Sequence, residues 1–482
     1  MAESAIAPPM FDDLRERVRA IPLGQGVALL VVQAALLATF AFDWRVPLVL
    51  TAGLLIAVFL LDNPIWAVGG MLAARLLSVG TMSFFTIGKI SIGMFEPVLL
   101  LALFALGLRA VFARKPLWPL WPWKPILLAI VGWRFIGLFW CTKFSDGAKE
   151  IVTFGVIFAT SSVILAFIDS WEDIKTCLWW WIGACVGIGL LAMFGDALGL
   201  TSYASQWKAA ESGGRETGLG QQPNWFAMNL SFVVPACVAF ALIQRRALLR
   251  WGLLFSSVFI FFAMMTSGSR GGAGAVVIGG GIVALGQPLF RKWFLRFSAV
   301  GVLLFLVAAF ANLGDISKGY NRIAGGLTVL FARDIRGANW AACIGMFRDS
   351  FGLGIGPGGY VDNLQPYSDW LYNSVYRYPH GIVWGELAHT GVVGLCLLFA
   401  FVLAILRMAW VTIEDTRGTE AEGLAWAMPA AMAGYFAWSF VEFSIDEKPF
   451  WEWLALYTAL HLVARRARLT GKPLPPRSIS VR

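Results

Sequence analysis

The sequence predicts an all-α polytopic membrane protein of about 12 to 14 transmembrane helices, with one long outer loop that contains short helices of its own. Three observations predict it. Apolar runs of roughly 17 to 25 residues recur along the whole chain, each long enough to cross a hydrocarbon core of about 30 Å as a helix. Of the 482 residues 58% are hydrophobic and only 14% charged, against about 25% charged in soluble chains. The 23 tryptophans fit interfacial belts better than a soluble core. Backbone in lipid must satisfy its own hydrogen bonds, which leaves helices or a closed barrel. Barrel strands alternate polar and apolar residues over about ten positions; these runs do not alternate.

Taken in order, the candidate spans lie near 24–42, 46–61, 64–81, 95–113, 119–141, 149–168, 177–199, 225–243, 251–266, 272–287, 294–311, 381–406, 424–441 and 449–464. The short pair 46–61 and 64–81, joined by Asp62-Asn63-Pro64, can instead form a re-entrant pair, which gives the lower count. The first twenty residues are polar and lack the apolar core of a cleavable signal. Threading from an inner N-terminus places every basic cluster on the cytoplasmic side: Arg15/Arg17/Arg19, Arg109/Arg114/Lys115, Arg245/Arg246/Arg250, Arg291/Lys292/Arg296 and Arg465/Arg466/Arg468. That is the positive-inside pattern. It accounts for the net charge of +9 as topology, with membrane lipids and no nucleic acid as the partner of the basic residues. Residues 1–482 therefore read as one integral membrane domain, with 312–380 as the long outer loop and 465–482 as a disordered cytoplasmic tail. The six cysteines show no CxxC spacing and read as packing residues.

The loop 312–380 is a polar island holding five aspartates, six Lys or Arg residues and the run Gly352-Leu-Gly-Ile-Gly-Pro-Gly-Gly359, and it ends at Tyr378-Pro379-His380. Trp340, Ile344 and Phe347 recur at helical spacing and predict a short amphipathic helix over 337–350. A nucleotide-binding role for the glycine run is rejected, because no strand precedes it and the threading puts it outside the cell. A tight turn bringing Arg348 and Tyr360 toward a site is expected instead.

Arg215 and Arg270 stand among glycines at span entrances, and Arg336, Arg348 and His380 fall on the same outer face. Guanidinium groups bind phosphate bidentately and stay charged, which suits a lipid diphosphate with its tail in the membrane. Such arginines also snorkel to lipid phosphate, and Asp334 or Asp349 can pair with Arg336 or Arg348. A neutral imidazole at His380 is a natural base for a sugar hydroxyl, though interfacial histidines also occur without any such role. Glu386 lies within the following span, where carboxylates are functional candidates by default or pair with a group such as Arg134 or Arg75. His389 and His461 read as packing residues. No grouping has metal-ligand spacing, so neither metal nor cofactor is expected.

The order Arg215…Pro223-Asn224, Ser269-Arg270-Gly271, Arg336…Trp340…Phe347…Gly352–Tyr360, then His380…Glu386…Gly391-Val-Val-Gly394 resembles the O-antigen ligase and polymerase family over about residues 200–400. One position departs from the family pattern, with Gly381 where an Asn commonly follows the histidine. The resemblance implies a metal-independent GT-C-type glycosyltransferase in the bacterial inner membrane, working on the periplasmic face. It would move a glycan en bloc from undecaprenyl diphosphate to lipid A–core or another glycan acceptor. It makes His380 the general base and Arg215 and Arg270 the donor-diphosphate ligands. Arg336 and Arg348 are candidates for the same diphosphate, with Asn224, Tyr360 and Glu386 in support. A polysaccharide polymerase or a protein O-glycosylating enzyme shares this chemistry. A lipid-linked glycan flippase is the alternative from another class, and it calls for ionisable groups near the bilayer centre rather than on one face.

Overall fold

The computed structural model describes residues 63–77, 85–87, 90–92, 95–113, 119, 121–195, 222–311, 335–373, 378–442, 445–472 and 474–476. The expected spans 24–42 and 46–61 and the site candidate Arg215 lie outside these residues, and everything below concerns the unit Asn63–Arg482. In chain order it comprises α1 (Pro64–Leu77), a small antiparallel ribbon of β1 (Phe85–Ile87) and β2 (Ile90–Ile92), α2 (Phe95–Ala113), α3 (Lys124–Gly137), α4 (Phe144–Phe167) and α5 (Trp171–Phe194). Then come α6 (Pro223–Ser231), α7 (Val233–Leu242), α8 (Ala247–Thr266), α9 (Arg270–Gly286), α10 (Pro288–Phe310), α11 (Ile335–Asp349) and the single turn α12 (Asp369–Tyr372). The chain closes with α13 (Ile382–Thr416), α14 (Glu422–Ser439) and α15 (Lys448–Leu469).

The fold is the all-α polytopic membrane architecture expected from the sequence. Five described helices are long and apolar enough to cross a membrane by length and composition: α4, α5, the continuous pair α6–α7, α8 and α13. Their ends follow local chemistry. Ser170 and Asp173 form a reciprocal capping box that starts α5, and the Ser269 hydroxyl accepts from the Gly272 N–H to start α9. The expected amphipathic helix at 337–350 is α11, one residue shorter at its end and two residues longer at its start.

Small residues let α9 and α14 meet backbone to backbone. A Cβ on Gly279 would lie 2.9 Å from the Ala430 carbonyl oxygen, and one on Gly434 would collide with that of Ala275. Without a hydrophobic drive between helices in lipid, such close van der Waals contact is a main source of association. Next to them, buried aromatic side chains from α13, α14 and α15 (Phe401, Tyr435, Phe450, Trp451), with Trp123 just before α3, pack in a continuous cluster, with Phe401 and Trp451 centroids 4.9 Å apart.

The helix α13 is broken at Gly391, whose φ of 64° and ψ of −154° are non-helical. The break frees carbonyls that a helix interior would otherwise satisfy, and the glycine run takes them. Ile355 N–H donates to the Ala388 carbonyl at 2.9 Å and Gly356 N–H to that of His389 at 3.0 Å, while Val392 N–H donates back to Gly352 at 2.9 Å. The Trp133 indole donates to the Thr390 carbonyl at 2.8 Å. Gly352, Gly354, Gly356 and Gly358 all have positive φ, which glycine adopts without steric penalty. A Cβ on Gly354 would sit 2.6 Å from His389 backbone, and one on Gly356 2.6 Å from Cys141. The glycine run is therefore a wedge that seals a helix break. It does not carry Arg348 to a site as expected.

The expected disordered tail also needs correction. Residues 465–469 belong to α15, and beyond it the Pro475 carbonyl accepts from Glu420 N–H at 2.9 Å, with Pro476 bridging Thr419.

Candidate functional site

Around His380 the chain holds a cavity of about 490 Å³, within the range usual for small-molecule sites. The N-terminal turns of α13 form one wall, the residues leading into α15 another, and α3, α4 and the start of α6 close it. His380 lines it and is 7% exposed.

The backbone at His380 is held in an unusual shape. Its φ is +50°, a region rare for residues other than glycine and found at strained functional positions. The Trp340 indole donates to the His380 carbonyl at 2.9 Å. Trp340 stacks on Trp384 with centroids 5.2 Å apart, and both rings meet Phe440 edge-on. The next residue, Gly381, has φ 144°, and a Cβ there would collide with the Phe440 carbonyl oxygen. That approach leaves room for no side chain at position 381. On the other side the Tyr378 ring lies 3.7 Å from the imidazole centroid.

Two charged networks flank the imidazole. The first centres on Glu442, which is 4% exposed. Asn224 donates to its Oε1 at 2.6 Å, the Tyr378 hydroxyl to the same oxygen at 3.3 Å, and Arg336 Nη2 to Oε2 at 2.7 Å. Ser269 extends the chain by donating to Asn224 Oδ1 at 3.0 Å. Burial together with the Glu442 charge pushes the Tyr378 hydroxyl pKa up, so it stays a donor.

The second network centres on Arg134, 1% exposed. Its guanidinium bonds Glu386 and, at 2.8 Å, Glu150. Glu150 Oε2 also accepts from Gly358 N–H at 3.0 Å and lies 4.0 Å from His389 Nδ1. Thr390 donates to Glu386 at 2.8 Å. Arg134, Glu150, Glu386 and His389 all line the same cavity as His380.

Asp446 and Glu447 complete the lining. Burial, with Asp446 beside it, pushes the Glu447 carboxyl up to about 8. Among the described residues five carboxyl groups and one guanidinium, that of Arg134, thus line the cavity.

The structure sorts the sequence candidates. His380, Asn224, Arg336 and Glu386 come together through the cavity and its two networks. Arg270 is exposed at the first turn of α9, next to Ser269, and does not line the cavity. Arg348 stands about 18 Å from Arg336 at the far end of α11, 80% exposed and paired with neighbouring Asp349. Tyr360 is buried under α11, donating to Asn339 Oδ1 at 2.5 Å, so it holds that helix and does not face the cavity. Sequence reasoning named Arg134 only as a partner for Glu386, which it is. It passed over Glu150, Glu442 and Tyr378, and read His389 as packing. Glu150 and Glu442 carried one available signal, as carboxylates at or near apolar spans.

Fold and site define a class: a polytopic all-α membrane protein with a buried, histidine-bearing, carboxylate-rich pocket at one end of its helices. Residues 255–399 match the family model described as O-antigen ligase, which supports assigning the chain to the O-antigen ligase family. With that family goes a role in surface-polysaccharide biosynthesis, by glycosyl transfer that involves glycan and lipid-linked substrates. The match runs from α8 to the middle of α13, and so includes Arg270, Arg336, the glycine wedge, His380 and Glu386 but not Arg134, Glu150 or Glu442. No curated protein matches the chain.

Proposed function

We propose that this protein transfers a glycan en bloc from undecaprenyl diphosphate to an acceptor sugar hydroxyl at the periplasmic face of the inner membrane, as an O-antigen ligase-like enzyme. One observation carries the reading: His380 is buried on the wall of a cavity of about 490 Å³ in the family-matched segment, its backbone clamped by Trp340 and Phe440. The imidazole accepts the acceptor hydroxyl proton as that oxygen attacks the anomeric carbon. The bond from that carbon to the diphosphate oxygen breaks, and the diphosphate leaves with the electron pair. General-base help of this kind is worth about 10²–10⁴-fold.

The distribution of charge supports a division of the substrates. A cavity lined with carboxyl groups exchanges hydrogen bonds with hydroxyl groups, and the one guanidinium among its described lining residues, Arg134, is already held by Glu150 and Glu386. The acceptor sugar therefore occupies the cavity. The diphosphate lies outside it, on Arg336, which is 34% exposed, and on Arg270, exposed beside Ser269, with Arg215 as the further ligand that the family resemblance implies. Fixed cations there stabilise the charge that develops on the leaving group. Such transfer needs no nucleotide, since the energy resides in the lipid–diphosphate–sugar linkage.

The test is reconstitution of the full chain with a polyprenyl diphosphate-linked glycan and a glycan acceptor, comparing native protein with His380→Ala and Arg270→Ala. Transfer by the native protein, with loss in both variants, is expected. Undiminished transfer by both variants would remove the mechanism. Glycan length in a deletion strain separates ligase from polymerase: carrier-linked polymer accumulates without the first, single repeat units without the second.

A further inference from the structure

The helices α13 and α15 run parallel, and each begins at the His380 cavity: Ile382 lines it, as does Glu447 just before α15. A second cavity, of about 480 Å³, lies between the same two helices toward their other ends. Its floor is apolar, built from Leu403, Ala404, Met408 and Val411. Among the described residues its polar groups are Arg407, Arg465 and His461, and no carboxylate lines it. Arg465 is shared with Asp415 at 3.4 Å, and His461 is held by Thr412 at 2.9 Å. Among the described residues Arg407 makes no ion pair, which leaves its guanidinium for a ligand.

Depth decides which ligand. The apolar run that follows His380 extends to Leu406, a length that spans the roughly 30 Å hydrocarbon core even with the break at Gly391. Arg407 therefore stands at headgroup level on the face opposite His380. Trp410, one turn on and 70% exposed, fits the interfacial aromatic belt at that level. An apolar trough beneath Arg407, with Arg465 beside it, matches one occupant in shape and charge, and basic pockets between transmembrane helices hold anionic lipid headgroups.

We infer that the groove between α13 and α15 at Arg407 is a binding site for one anionic phospholipid, with its headgroup on Arg407 and Arg465 and an acyl chain against Leu403, Ala404 and Met408. The site is independent of the glycosyl-transfer reading.

Native mass spectrometry of the detergent-purified full chain tests it, with phosphatidylglycerol, phosphatidylcholine and soluble glycerol 3-phosphate as separate titrants. The native protein should retain one phosphatidylglycerol at about tenfold lower concentration than phosphatidylcholine, and should not retain glycerol 3-phosphate. Arg407→Gln should bring phosphatidylglycerol to the phosphatidylcholine level. Ala404→Phe, which fills the trough without changing charge, should remove the bound lipid. Equal retention of the two lipids by the native protein overturns the site. So does an unchanged preference in both variants, and retention of glycerol 3-phosphate as strong as that of the lipid would make it a free-phosphate site.

Discussion

The two networks beside His380 contain the same kinds of residue and differ in exposure. Arg134 is buried between two carboxylates that take up its hydrogen bonds. Arg336 pairs with one buried carboxylate and keeps 34% of its side chain exposed. A buried pair of the first kind is strongly destabilised by loss of one partner, because the remaining charge stays desolvated. A half-exposed pair can exchange its carboxylate for a phosphate at small cost. On the proposed reading the difference divides labour: the Arg134 network fixes α3, α4 and the broken end of α13 around the cavity, and the Arg336 network meets the substrate.

Five experiments can break or sharpen that division. The largest effect lies between the networks, where His380→Ala should lower transfer by about 10²–10⁴-fold with little change in melting temperature. Unaltered turnover would make the imidazole a bystander. Next, Arg134→Ala should cost roughly 3–5 kcal/mol of stability, seen as a large fall in melting temperature of the detergent-solubilised protein. A variant that melts normally but is inactive would move Arg134 into the substrate-binding group. Third, Glu442→Gln keeps the hydrogen bonds from Asn224 and Tyr378 but removes the charge facing Arg336. It should alter donor KM by several-fold and leave stability within about 1 kcal/mol, in line with half-exposed ion pairs; a melting loss as large as that of Arg134→Ala would erase the contrast.

The fourth prediction concerns pH. Glu447 has a folded-state pKa of about 8 against an ordinary 4.5, so the folded protein binds a proton there more tightly than the unfolded chain. Its contribution to stability is full below about 4.5 and is lost as pH rises through 8. Thermal melts of the native protein should decline across that window, and Glu447→Gln should flatten the decline. Parallel curves for the two proteins would assign the slope elsewhere. Smallest of all, Arg348→Ala should change stability by less than about 0.5 kcal/mol and leave transfer unaffected, since its side chain is 80% exposed and remote from the cavity. A tenfold loss of transfer would restore it as a donor ligand.

How much of this was legible beforehand depends on the range of the interaction. The span at 95–113 coincides with α2, and the helix expected at 337–350 is α11 within two residues at either end, because apolar length and periodicity are local properties. His380, Asn224, Arg336 and Glu386 were visible as polar residues placed where polarity is costly. Arg348 was misplaced by the same reasoning, which registers residue type at a loop but not the end of the helix on which it falls. The glycine run was conspicuous in sequence, yet its purpose lies in the break at Gly391, more than thirty positions away. Glu442 sits 218 residues from Asn224 and 106 from Arg336, and nothing in the spacing joins them.

From the residues in order came the membrane class, most helix limits and the polar island that ends in His380, since transfer energies and hydrogen-bond periodicity act over a few turns. Tertiary structure alone decided which charges meet, which arginine is locked and which is available, and that the cavity is lined with carboxylates. The physical reason is that burial and pairing depend on the packing of segments distant in the chain, and a buried charge takes its character from whatever packing brings against it.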